Sequence, residues 1–92
     1  MIVKAVSLHC NKDNHDKVYY IEILEVAPRK YTVAFQYGRR GKTLKYGTKT
    51  EEPVSLWEAE HLFDKKMQDE LKKGYHVIPN PDDLMTLVTL MF

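Results

Sequence analysis

The amino-acid sequence predicts an α+β fold: a small antiparallel sheet of about four strands, one main α-helix packed on it, and a short C-terminal element. Three observations predict this. Segments rich in β-branched and aromatic residues, some in clear period-two alternation, fill the first half of the chain. "GRRG" directly follows the best of them, placing two glycines where a chain reversal needs them. A single stripe of apolar residues at helical spacing then runs through "SLWEAEHLFDKKMQDELKKGY".

The elements follow in order. Residues 1–9, "MIVKAVSLH", alternate loosely, with Ile2, Val6 and Leu8 on one side and Lys4 interrupting that side. "CNKDNHDK" is a polar loop. In "VYYIEIL", 18–24, Tyr19, Ile21 and Ile23 share one face of a strand. Pro28 lacks an amide donor and suits the turn that follows. In "YTVAFQY", 31–37, Tyr31, Val33, Phe35 and Tyr37 point one way and Thr32, Ala34 and Gln36 the other. "KTLKYGTKT" returns as a fourth strand, with Gly47 expected at a bulge. Ser55 and Glu58 form a capping box at the helix start. Leu56, Ala59, Leu62, Phe63, Met67 and Leu71 make the buried stripe, the acids are expected mostly outside it, and Trp57 is expected half-packed. Lys72, Lys73 and Gly74 suit the helix end. The tail, "NPDDLMTLVTLMF", reads as a helix start at Asn80 and Pro81, followed by an apolar face. The domain is therefore expected over residues 1–78, with 79–92 an apolar tail that covers its own domain or a partner.

At 92 residues the chain suits one small domain. An apolar fraction of 43% and a charged fraction of 29% argue against disorder. Cys10 is the only cysteine, which excludes an internal disulfide and fits a reducing compartment. No signal-like N-terminus occurs, and no apolar run approaches the ~20 residues that span a bilayer. These features predict a cytoplasmic protein without a membrane segment.

The net charge of +1 conceals a strong asymmetry. Residues 27–50 hold Arg29, Lys30, Arg39, Arg40, Lys42, Lys45 and Lys49 with no acid, whereas the segments on either side are net negative. Local field governs encounter with charged partners more than total charge does. "YGRRGK", 37–42, sits inside this basic stretch. Glycines there allow close approach, arginine forks match phosphate oxygens, and an aromatic face can stack on a base or pack on a sugar. The same residues suit a solvated hairpin turn equally well, so their spacing leaves both readings open.

No catalytic constellation stands out. Ser55 is explained as a cap, Asp82 and Asp83 as first-turn acids, and His61 and His76 have no nucleophile nearby in sequence. His9, Cys10, Asp13, His15 and Asp16 are potential metal-ligand types, but their spacing is not that of a zinc site. No cofactor, metal or enzymatic activity is expected.

The stretch from Lys17 to Tyr75 resembles a WGR domain, the module named for its Trp-Gly-Arg motif. That module occurs in poly(ADP-ribose) polymerases and in bacterial proteins. "DKVYYIEILE", "RKYTVAFQYGRRGK" and "AEHLFDKKMQDELKKGY" carry the resemblance in order and spacing. It implies that Tyr37, Gly38 and Arg39 occupy the motif positions, with tyrosine in place of tryptophan. It also implies that Arg29 stands where relatives open the motif strand with a DNA-touching basic residue. Asp16 falls where some relatives place an asparagine that touches DNA. The implied function is nucleic-acid binding, DNA before RNA, through the backbone or at an end. Arg39 would hold phosphate, Tyr37 would pack on sugar or base, and Arg29, Arg40, Lys42 and Lys45 would supply field. The alternative is a protein-interaction module using the same edge or the apolar tail.

Overall fold

The computed structural model describes residues 1–78, so the tail expected over 79–92 lies outside the described residues. Strands β1 (Ile2–Cys10), β2 (Lys17–Ala27), β3 (Lys30–Arg39) and β4 (Lys45–Thr48) precede helix α1 (Leu56–Lys72), and strand β5 (His76–Ile78) follows it. They form one antiparallel sheet in the order β4-β3-β2-β1-β5. With one main helix this is an α+β fold, and the four expected strands are present. Strand β5 was not anticipated. Its three residues are too few to show a period, and they become a strand only by pairing Ser7 with Ile78 and His9 with His76.

Register explains the core. Val6 lies opposite Ile21, Leu8 opposite Tyr19, Ile21 opposite Phe35, and Ile23 opposite Val33. Strict alternation therefore gathers these side chains on one face, and α1 lays Ala59 and Phe63 onto it. Leu8, Ile21, Ile23, Val33 and Phe63 are the largest fully buried side chains. Each contributes about 1.5–3 kcal/mol by leaving water. Lys4, which interrupts the apolar face of β1, reaches Asp64 at 3.6 Å and lies 4.8 Å over the Phe63 ring. Its stem thus covers the core edge while its ammonium stays paired.

The helix begins after Ser55 and ends before Gly74 as its sequence indicates, with one of the two capping-box bonds formed. The Ser55 hydroxyl accepts a hydrogen bond from the Glu58 amide at 3.2 Å, satisfying one orphan donor of the first turn. Gly74, with φ of +107°, follows the last turn in the left-handed region. Trp57 departs from expectation: it is 75% exposed and stacks on His61 with ring centroids 5.5 Å apart. No helix among the described residues is long and apolar enough to cross a membrane.

Gly47 is also corrected. Strand β4 pairs with β3 without a register shift, Phe35 opposite Gly47 and Tyr37 opposite Lys45, so no bulge occurs. The glycine serves packing instead. A Cβ at position 47 would fall 2.6 Å from Cζ of Phe35, because that ring folds across the neighbouring strand. Gly47→Ala is therefore expected to lower stability by roughly 1–3 kcal/mol through overpacking. An unchanged urea midpoint would show that the ring swings aside freely.

Candidate nucleic-acid interface

The C-terminal end of β3 carries the motif residues, and register decides what surrounds them. Lys17 of β2 lies directly opposite Arg39, and Lys45 of β4 lies directly opposite Tyr37. A cleft of about 390 Å³ opens there, walled by Tyr37, Gly38 and Tyr75 and surrounded by Lys17, Arg39, Lys42 and Lys45. None of these four cations makes an ion pair among the described residues. Like charges directly opposite on neighbouring strands are destabilising. The Lys17–Arg39 pairing thus breaks a local rule, as functional sites do in real proteins.

The two glycines of the turn do different things. Gly41 has φ of +82° with open space around it, so its role is backbone freedom. Gly38 has φ of +152°, and a Cβ there would sit 3.3 Å from Cδ2 of Leu44. It therefore also gives Leu44 room against the strand end.

Arg39 and Arg40 are adjacent in sequence but have different fates. Arg40 turns to Asp16, its Nη2 3.0 Å and its Nε 3.1 Å from the carboxylate, and its amide donates to the Asp16 carbonyl at 2.9 Å. Asp16 also bonds the His9 ring. The His9 bond and the Arg40 guanidinium hold the Asp16 carboxyl below its usual range. Asp16, which stands beside the edge as an acid, is thus neutralised by Arg40, and Arg40 is not free in the way Arg39 is. Arg29 is separated altogether. It occupies the turn between β2 and β3, with φ of +60°. The ten residues of β3 place it roughly 30 Å from the motif end of that strand. The structure therefore brings together Tyr37, Gly38, Arg39, Lys42 and Lys45, ties Arg40 to Asp16, and leaves Arg29 at the far end.

Several residues of this region were missed from sequence. Past Tyr37 a second cleft of about 670 Å³ continues under the C-terminal half of α1 and shares Lys17, Tyr37 and Tyr75 with the first. Tyr19 stacks on Tyr37 at 5.3 Å and on Phe35 at 5.9 Å, and Tyr75 meets Tyr19 edge-on at 5.8 Å. Glu70, expected outside the apolar stripe, is only 2% exposed. Lys66 reaches it at 3.0 Å and Lys73 at 3.2 Å. The Lys66 ammonium also lies 5.0 Å over Tyr19 and 5.4 Å over Phe35. The available signal was the i, i+4 and i, i+3 spacing of Lys66, Glu70 and Lys73 along the row that begins with Ala59 and Phe63.

This cluster makes stability sensitive to alkali. Burial pushes the Tyr19 and Tyr75 hydroxyls above their usual 10.0. Burial works against the Lys66 charge, yet Tyr19 and Glu70 hold it above its usual 10.5. The folded state therefore keeps these protons longer than the unfolded chain does. Stability is full below pH 10 and falls as pH rises through the folded values. Tyr19→Phe is expected to shallow that alkaline loss in a series of melting curves. An identical alkaline slope in parent and variant would refute the assignment.

His9 and Cys10 alternate to opposite faces of β1, and among the described residues no group of three His, Cys, Asp or Glu side chains is placed to hold a metal. No curated protein and no solved structure matches the chain. The family model of the WGR domain matches residues 4–82, which takes in β5 and all but the first two residues of β1 as well as β3. WGR domains are known in general as nucleic-acid-binding modules. With that match over most of its length, the chain belongs to the WGR domain family.

Proposed function

We propose that the protein binds DNA through its backbone, at the edge formed by Tyr37, Gly38, Arg39, Lys42, Lys45 and Lys17, without catalysing a reaction. The observation that carries this reading is a set of four cations, none ion-paired among the described residues, around a cleft walled by Tyr37 and Tyr75. The Arg39 guanidinium offers a planar fork to a phosphate, and charge-assisted bonds of that kind are the strong ones. The half-buried Tyr37 ring is steadied by Tyr19 stacked against it and presents a surface to sugar or base. Lys17, Lys42 and Lys45 add field and release counterions from the duplex. Arg40 contributes indirectly, by keeping Asp16 from repelling phosphate. Binding rests on shape and charge, because the only described helix of any length is capped, packed on the sheet and acidic in its first turn. An exposed duplex end suits this edge better than duplex interior, since the motif ring sits beside a cleft rather than on a flat face.

Fluorescence anisotropy with labelled blunt, 5′-phosphorylated and single-stranded DNA over a salt series tests the reading. Four phosphate contacts at about 0.9 each give a log–log slope of roughly −3 to −4 on duplex. Binding that is indifferent to salt, or seen only with a protein partner, would favour a protein-interaction module and sink the proposal.

A further inference from the structure

We infer that the second cleft, between the C-terminal half of α1 and the aromatic face of the sheet, is a pocket for a single unpaired nucleotide. This rests on the proposed reading of the neighbouring edge as a backbone-binding surface, and it adds a site that reading does not require. At about 670 Å³ the cleft has the size of a small-molecule site. Its chemistry narrows the occupant. Tyr19, Phe35 and Tyr37 lie within 28° of parallel, with centroids 5.3–6.0 Å apart, and Tyr75 stands nearly at right angles to Tyr19. Tyr19 is buried and Lys66 lies over Tyr19 and Phe35, so the half-buried Tyr37 and Tyr75 rings are the ones left to a flat aromatic ligand.

Charge sets the rest of the ligand. Lys12, Lys17, Lys66 and Lys73 all line the cleft, against Asp13 and Glu70. This excess of lysine disfavours a cationic ligand and favours an aromatic group that brings an anion with it. Lys12 is exposed and makes no ion pair among the described residues, Lys73 is exposed but rests on Glu70 at its rim, and Lys66 is held on Glu70 deeper in. A nucleotide combines a planar base with a phosphate at this separation of functions. Glu70, with Lys66 and Lys73 on it, lines the same cleft and gives it a polar wall beside the aromatic one. Continuity supplies the route. Tyr37, Lys17 and Tyr75 belong to both clefts, so a strand held by Arg39 and Lys45 passes directly from one into the other.

The base could arrive on the end of a strand or as a free nucleotide, and the experiment separates these. The parent, the double variant Lys12→Ala/Lys73→Ala and Arg39→Ala are titrated with a blunt duplex, the same duplex bearing a short single-stranded overhang, adenosine 5′-monophosphate, and a phosphotyrosine peptide. Stacking of one base is expected to make the overhang duplex bind roughly tenfold tighter than the blunt one. The double variant loses that gain and keeps its blunt-duplex affinity, which also reports an intact fold. Equal affinity for overhang and blunt duplex, with saturable monophosphate binding that the double variant loses, assigns the pocket to a free nucleotide. Equal affinity with no monophosphate binding, or binding of the phosphotyrosine peptide alone, overturns the pocket. If Arg39→Ala still weakens blunt-duplex binding in that case, the backbone reading stands without it. A blunt duplex that the parent does not bind removes the backbone reading instead.

Discussion

Replacing Lys17 and Arg39 together with alanine is expected to weaken DNA binding by roughly a hundredfold at low salt, about tenfold for each charge-assisted bond to phosphate that is removed. The log–log salt slope should become shallower by about 2, since two counterion-releasing cations disappear. Stability should hold or rise, because the two cations face each other across β2 and β3 and repel. That combination separates a binding role from a structural one. A variant that binds poorly because it misfolds would show a lower melting temperature. Arg29→Ala makes the control. It lies at the opposite end of β3, and its removal should leave affinity within about twofold, the effect of one screened distant charge. Should the double variant bind DNA as the parent does, with the same salt slope, the edge around Tyr37 is not the binding surface.

The second large effect is on stability. Glu70→Ala is expected to cost about 3–5 kcal/mol, because it strands the Lys66 ammonium in a largely buried position without its partner. Small domains hold only about 5–15 kcal/mol in total, so the single variant should be close to unfolding at 37 °C. Lys66→Met with Glu70→Leu together should recover most of that loss, since apolar groups of similar size can replace a buried pair at little cost. Lys73→Ala should matter little, because its side chain is 64% exposed and water screens its half of the interaction. Urea unfolding of the four proteins gives the comparison. A Glu70→Ala loss under about 1 kcal/mol would mean that the carboxylate is hydrated in solution. Because Glu70 and Lys66 also line the proposed nucleotide pocket, this measurement is made on stability alone and leaves the binding question to Lys12 and Lys73.

Much of the fold is legible from local pattern. "YTVAFQY" alternates because one face of β3 meets the helix and the other does not. Ser55 and Gly74 bracket α1 because a helix end must satisfy its own amides and carbonyls with what lies next to it in the chain. The motif end of β3 was equally legible, since an aromatic, two glycines and two arginines in six residues are all local. Strand β5 was not, because three residues carry no period and the strand exists only as a partner of β1. Gly47 was misread because its meaning lies in the Phe35 ring on the next strand. The composition of the candidate site failed in the same way. Arg29 belonged to the basic stretch in sequence, yet the straightness of a strand carries it away. Arg40 looked equivalent to Arg39, yet Asp16 binds it. Lys17 and Tyr75 lay outside the basic stretch, yet register and the helix end bring them to Tyr37.

The division has one physical cause. Interactions between near neighbours in the chain, namely alternation, capping and turn geometry, were enough to give the strands, the helix, the α+β class and a motif on a hairpin end. Which charges stand together, which are cancelled and which rings wall a cleft depend on residues far apart in sequence. Cross-strand pairing and the docking of α1 set those distances, and no stretch of the chain carries that information before it folds.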